Sequence, residues 1–264
     1  MCLLIARFGV EPGLPLVVGA NRDERYERPA TAVTVLRHRP RVLGGRDELA
    51  GGTWLAVNEH GVVAGLTNRP SSNGRDPSKR SRGELPLALA AHVEAAAAVD
   101  EVCSTVRPGD YNPCWVLVGD RRHLFYLELP EGGGSPVVTE LGPGTYVVEN
   151  SALGSPTPKA THVAARLAGG PRGNGPFDVL ASVLRDHTVP EGAAQGSPPA
   201  AGGSGDGAPR PPQLAAACVH TDSYGTRSSL LAAVAAGAGR PVLYVADGPP
   251  CRAPFVAADP LWEA

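Results

Sequence analysis

The first third of the chain alternates short apolar runs with turn residues. Runs at residues 2–8, 16–20, 31–36, 53–57 and 62–67 are each punctuated by Gly, Pro or Asn, the pattern of strands joined by tight turns. At Ser81 the period changes. Ser81-Arg82-Gly83-Glu84 has the form of a capping box, Pro86 falls in the first turn, and Leu85, Leu89, Val93 and Ala97 recur at helical spacing. This predicts a helix of about 20 residues, ending near Val106. Residues 115–118 and 124–129 flank Gly119-Asp120 and predict a hairpin, followed by strands at 137–141 and 145–150. A helical pair is predicted at 161–167 and 177–185, where Phe177, Leu180, Val183 and Leu184 share a face. Residues 189–212 are Gly, Pro, Ala and Ser with almost no apolar bulk and are expected as a disordered surface loop. Strands near 217–220, 228–234 and 242–245 close the chain. Hairpin-linked strands interrupted by two helical blocks predict an α+β fold with antiparallel sheets rather than an alternating βαβ one. No Pro/Gly/Ser-rich break precedes residue 189, so one domain is expected over 1–264, with a late insertion at about 189–212.

Charge narrows the function. Lys plus Arg number 24 against 26 Asp plus Glu, a net −2, which leaves no electrostatic footprint for nucleic acid or anionic membrane. No apolar run approaches the roughly 20 residues of a membrane span. Arg7 interrupts the apolar stretch that follows Met1, so no signal peptide is expected. The five cysteines, Cys2, Cys103, Cys114, Cys218 and Cys251, are odd in number and include no Cys-x-x-Cys, which argues against a disulfide framework and a zinc knuckle. The expected compartment is reducing and cytoplasmic. Seven histidines with no i, i+4 pair predict no dedicated metal site, Cys103 and Cys218 read as inert, His220 as a core or rim residue, and no cofactor is implied. Gly44-Gly45 and Gly51-Gly52 lack a phosphate-loop ending and read as tight strand turns.

Cys2 follows the initiator Met, and removal of Met1 makes it the N-terminal residue. A free α-amine titrates near 7.7 to 8.0 and a thiol near about 8.5, so one residue then supplies both nucleophile and base. Taken alone, Cys2 is equally the first small apolar residue of a buried strand. Asn21-Arg22-Asp23-Glu24 follows the second apolar run. By composition it is a solvated turn, but antiparallel pairing of the first two strands returns residues 20–23 beside residue 2. An Asp there can hold the protonated amine and an Arg can neutralise a thiolate.

Met1-Cys2, Asn21-Arg22-Asp23-Glu24 with Arg28-Pro29, Gly45-Arg46-Asp47 with Gly51-Gly52-Thr53-Trp54, Thr67-Asn68, Arg82-Gly83, Glu149-Asn150 and Tyr224-Gly225-Thr226-Arg227-Ser228 together resemble the NRDE family. These are the transport-and-Golgi-organisation protein 2 homologues. That family is similar in turn to the N-terminal-nucleophile hydrolases of the choloylglycine hydrolase and penicillin V acylase group. The resemblance implies a four-layer αββα sandwich and amide-bond hydrolysis, with Cys2 as nucleophile and Asp23 against its amine. It also implies Asn68 and Asn150 facing the oxyanion, and Arg227 near the thiolate. Asn21, Arg22, Trp54 and Tyr224 are supporting or substrate-binding candidates. Acylases of the group carry an arginine just before their Asn-x-Asp, where this chain has Ala20. Arg22 stands two residues on and is expected to point elsewhere. Tyr111-Asn112-Pro113-Cys114 and Thr157-Pro158-Lys159 also depart from the family pattern. The favoured reading is an enzyme that hydrolyses C–N bonds, or a thioester, of a small acylated molecule through an acyl-enzyme at Cys2. The alternative is a non-catalytic binder of haem or an acyl-CoA in the same cleft.

Overall fold

The computed structural model describes residues 2–169, 175, 177–193 and 211–263. Thirteen strands among them form two sheets, every pair antiparallel. The first sheet takes β1 (Cys2–Glu11), β2 (Leu14–Arg25), β10 (Gly144–Val148), β11 (Tyr224–Val234), β12 (Val242–Ala246) and β13 (Val256–Ala257), in the order β10-β1-β2-β11-β12-β13. The second runs in sequence order. It comprises β3 (Ala30–His38), β4 (Arg41–Asp47), β5 (Leu55–Asn58), β6 (Val63–Asn68), β7 (Cys114–Gly119), β8 (Leu124–Leu129) and β9 (Val137–Glu140).

Strand alternation builds three apolar layers. Leu4, Ala6, Phe8, Leu16, Val18 and Ala20 face Leu43, Leu55, Val63 and Trp115 across the two sheets. Their neighbours Leu3, Ile5 and Val17 face outward onto α3 (Pro158–Gly169) and α4 (Asp178–Leu184). On the other side Ala64, Leu66 and Val116 meet α1 (Glu84–Leu89) and α2 (Ala95–Thr105). The result is the αββα sandwich. Among the described residues no helix is long and apolar enough to cross a membrane.

Four expectations are corrected. The single long helix after Ser81 is two helices. The buried Asn58 amide donates to the carbonyls of Ala90 (2.9 Å) and His92 (2.6 Å) at the end of α1, and Asp120 accepts the Ala95 amide (2.7 Å) at the start of α2. The capping box is absent as such, since Gly83 is the N-cap residue and no side chain caps α1. Gly44-Gly45 is no turn but lies inside β4, where a Cβ on Gly44 would strike the Leu55 carbonyl and one on Gly45 the Trp54 indole. Residues 217–220 contribute one bridge, His220 to Gly225, instead of a strand. Most of the expected surface loop at 189–212 lies outside the described residues.

Candidate functional site

β2 runs on through Asn21-Arg22-Asp23-Glu24 rather than turning there. The β1–β2 register sets Cys2 directly opposite Arg22. On the other flank the β1–β10 register pairs Leu4 with Val148, where β10 ends two residues before Asn150. On the far side of β2, Asp23 pairs with Thr226 of β11. Three strand ends thus bring the sequence motifs to one edge of the first sheet.

Period-two alternation sorts the polar run. Arg22 follows Val18 and Ala20 onto the inter-sheet face, the face of Leu4, so the expectation that a two-residue shift directs its charge elsewhere is corrected. Its guanidinium lies 4.4 Å from the centre of the Trp54 ring. Trp54 in turn packs on Gly45. Asp47 stands 3.9 Å from Arg22 Nη2 and holds Arg28 through two contacts of 2.9 and 2.8 Å. Although Arg22 is only 4% exposed, neither Nη1 nor Nη2 has a hydrogen-bond partner. Asn21 turns the other way, its amide bonded to the carbonyls of Leu184 (2.9 Å) and Ala217 (2.8 Å). It ties the sheet to the helix layer instead of lining the cleft.

Asp23 also faces the helix layer. Its Oδ1 accepts from Thr226 Oγ1 at 2.6 Å, and its Oδ2 lies 3.8 Å from Lys159 Nζ of α3. Tyr224 Oη donates to the Asp23 carbonyl at 2.6 Å, which fixes the strand end. Burial raises Asp23 above the ordinary carboxylate value, while the Lys159 ammonium and the Thr226 hydroxyl act against that rise.

Burial likewise pushes the Cys2 thiol up, reinforced by the Asp23 charge, and a hydrogen bond from the Asp23 backbone together with Arg22 opposes this only in part. With Met1 in place, burial therefore disfavours the thiolate.

Arg227 is not the cation beside the sulfur. It falls at the irregularity between Thr226 and Ser228, and its guanidinium bonds to the carbonyls of Arg25 (3.1 Å) and Tyr26 at the outer end of β2. Arg22 takes that place. Arg82 donates to the Pro113 carbonyl at 3.2 Å, and burial lowers its pKa while Cys114 chiefly, then Cys2 and Glu24, resist the change.

Asn68 and Asn150 do meet, through a hydrogen bond from Asn150 Nδ2 to the Asn68 carbonyl. The Asn68 side chain is exposed, because alternation along β6 turns Val63, Gly65 and Thr67 toward the first sheet and residue 68 away. The inward group is Thr67, fully buried, with a hydroxyl that has no hydrogen-bond partner. Lys159, Arg82 and Thr67 are candidate site residues that the sequence reading did not single out. The last two lay within quoted motifs and the first in Thr157-Pro158-Lys159, but nothing local marks which member of each motif faces inward. The metal-capable groups His187, Cys218, His220 and Cys251 gather beside Thr226, away from Cys2.

The αββα sandwich, with a cysteine at the start of its first strand, has a counterpart among solved structures. It is similar in fold to the Caenorhabditis elegans N-acylethanolamine-hydrolyzing acid amidase ortholog, with a TM-score of 0.51, 16% identity and coverage of 70% of this chain and 85% of that one. The chain belongs to the Transport and Golgi organisation 2 family, whose model matches residues 1–238. It is 31% identical over 247 residues to the Transport and Golgi organization protein 2 homolog of Bos taurus (87% of each chain). To the Mus musculus homolog it is 28% identical over 255 residues, covering 88% of this chain and 87% of that one.

Proposed function

We propose that the chain is an N-terminal cysteine hydrolase that cleaves an amide or thioester of a small acylated molecule through an acyl-enzyme at Cys2. The observation that carries this is the buried, hydrogen-bond-unpartnered guanidinium of Arg22 directly across the strand pair from Cys2. Trp54 and Asp47 offset part of the cost of burying this cation, but its Nη donors are left without acceptors, and a developing anion supplies one.

Removal of Met1 frees the Cys2 amine as the base for a thiol that burial keeps protonated. The proton passes from Sγ to nitrogen as Sγ bonds to the acyl carbon, and the tetrahedral oxyanion collapses with cleavage of the C–N or C–S bond. The leaving group takes the proton. Water, deprotonated by the same amine, then cleaves the thioester and releases a carboxylic acid. Asn150 Nδ2 keeps one N–H beyond the one given to Asn68. That N–H, Thr67 Oγ1 and Arg22 are the donors assigned to the oxyanion. Asp23, held by Lys159 and Thr226, faces the amine. A reducing, cytoplasmic setting fits this reading, since the described cysteines are free and the nucleophile is a thiol.

The test is the intact mass of Met1-free protein after incubation with N-acyl amines, N-acylethanolamines among them, and acyl thioesters. The expected result is a mass increase equal to one acyl group, mapped to Cys2. No adduct with any member, alongside reversible saturable binding of haem or an acyl-CoA, replaces the hydrolase reading with the carrier one.

A further inference from the structure

On the helix side of the first sheet, His187, Cys218, His220 and Cys251 place one ligand atom each within 4.8 Å of one another. Their spacings are specific. Cys218 Sγ is 3.8 Å from Cys251 Sγ, and His220 Nε2 is 3.5 Å from Cys218 Sγ and 3.2 Å from Cys251 Sγ. The His187 ring lies 5.4 Å from that of His220. A tetrahedral zinc ion with Zn–S near 2.3 Å and Zn–N near 2.0 to 2.1 Å separates its two sulfurs by about 3.8 Å and a sulfur from a nitrogen by about 3.5 Å.

We propose that these four residues form a tetrahedral Cys2His2 site for a thiolate-preferring divalent metal ion, zinc being the ion that chemistry fits best. Two thiolates and two neutral imidazoles balance a divalent charge, as a half-buried position requires. Binding M2+ releases two protons, one from each thiol, and needs no oxidant. All four positions are filled by protein, so the site is structural and leaves no coordination position for a substrate.

The ion joins three segments remote in sequence. His187 follows α4, Cys218 and His220 precede β11, and Cys251 sits in the turn after β12. Hydrogen bonds already align them: Cys218 N to the Asp186 carbonyl (2.8 Å), Arg185 Nε to the Pro250 carbonyl (3.1 Å), and Val219 N to Thr226 Oγ1 (2.9 Å). The last of these is the hydroxyl that donates to Asp23, so the ion braces the segment behind that carboxylate. A disulfide is the competing use of the two sulfurs, and their 3.8 Å separation is far from the bonded distance of about 2.05 Å.

The experiment measures the metal content of the full chain purified under reducing conditions, then titrates chelator-treated protein with Co2+. Expected are one equivalent of bound metal and the visible absorption of tetrahedral Co2+, with a thiolate charge-transfer band that one equivalent of Zn2+ bleaches. His187→Ala, at an exposed position where packing is not at stake, should weaken Co2+ binding at least tenfold. Cys251→Ser should diminish the charge-transfer band, and Cys2→Ser should leave binding unchanged. Reduced wild-type protein that gives no tetrahedral Co2+ spectrum, a Cys218–Cys251 disulfide in peptides mapped from freshly lysed cells, or a spectrum lost in Cys2→Ser but kept in Cys251→Ser would each overturn the assignment. Metal stoichiometry is read without any acyl substrate, so it stands or falls apart from the hydrolase proposal.

Discussion

Replacing Lys159 with Met isolates the electrostatics behind the nucleophile. The ammonium lies 3.8 Å from Asp23 Oδ2, and the two side chains are 3% and 0% exposed. Methionine preserves most of the buried stem and removes the charge. Asp23 then either stays ionised with less compensation or takes up a proton. Protonating a carboxyl of ordinary value 3.8 costs about 4 kcal/mol at pH 7 and about 1.6 kcal/mol at pH 5, at 1.36 kcal/mol per pH unit. Protonation therefore caps the loss, and at pH 7 the cap falls inside the roughly 3–5 kcal/mol typical of breaking a buried ion pair. The sign follows from the direction of the shift. Burial already raises Asp23 in the folded chain, Lys159 opposes the rise, and its removal lifts the folded value further above the unfolded one. A carboxyl raised on folding weakens stability progressively as pH climbs from its unfolded value through its folded one. Urea denaturation followed by tryptophan fluorescence should thus show Lys159→Met about 3 kcal/mol less stable than wild type at pH 7 and about 1 kcal/mol less stable at pH 5. Adding Asp23→Asn should recover part of the pH 7 loss. Equal losses at both pH values, or none, would refute the claim that Asp23 and Lys159 form a charged pair.

Arg22→Met is expected to leave the urea midpoint unchanged or raised while cutting acyl-adduct formation at least tenfold, because the cation has no hydrogen-bond partner to lose and its 3.9 Å Asp47 and 4.4 Å Trp54 contacts do not offset its burial; a large fall in stability would make it a structural residue. Gly45→Ala should cost about 1–3 kcal/mol by forcing the Trp54 ring aside, whereas Gly142→Ala, with open space around it, should stay within about 0.5 kcal/mol in the same thermal melts. Peptide mapping of protein made in its own host should find Cys2 as the first residue. With Met1 retained, Cys2 should alkylate slowly at pH 7 and faster as pH rises past 9, since burial holds its thiol up. Cys2→Ser should form adduct more slowly than wild type and Cys2→Ala none, both with wild-type melting curves.

The strand content was legible because Leu, Val and Ala runs are bounded by turn residues, and the sandwich followed from the family motifs. Less legible were features set by tertiary contact. The break between α1 and α2 comes from Asn58 and Asp120, which lie far outside the helical pattern. Gly44 and Gly45 looked like turn residues because glycine is ambiguous between a bend and a close approach, and here the Leu55 carbonyl and the Trp54 indole demand the second. Residues 20–23 were readable as neighbours of residue 2 because antiparallel pairing converts sequence order into adjacency, whereas Asn150 came only with the family motifs. Arg227 came from the family motif alone, and at the irregularity between Thr226 and Ser228 its side chain turns to the carbonyls of Arg25 and Tyr26. The His187, Cys218, His220 and Cys251 cluster has only one short internal spacing, Cys-x-His, so no local pattern announces it.

Parity also explains how this chain dispenses with an arginine at residue 20. A strand repeats its facing every second residue, so a cation moved from position 20 to 22 stays on the inter-sheet face and advances by one pair along the ladder. Position 20 lies opposite Leu4, whereas position 22 lies opposite Cys2. The shift brings the charge level with the sulfur while Ala20 closes the apolar layer beneath it. Asp23, one residue further, necessarily faces the opposite layer, where Lys159 and Thr226 receive it. Under the proposed mechanism, the Cys2 thiol and the carboxylate assigned to its amine therefore lie on opposite faces of one sheet, which only a residue at the very end of a strand can join, and that proposal makes Met1 removal the step on which the chemistry turns.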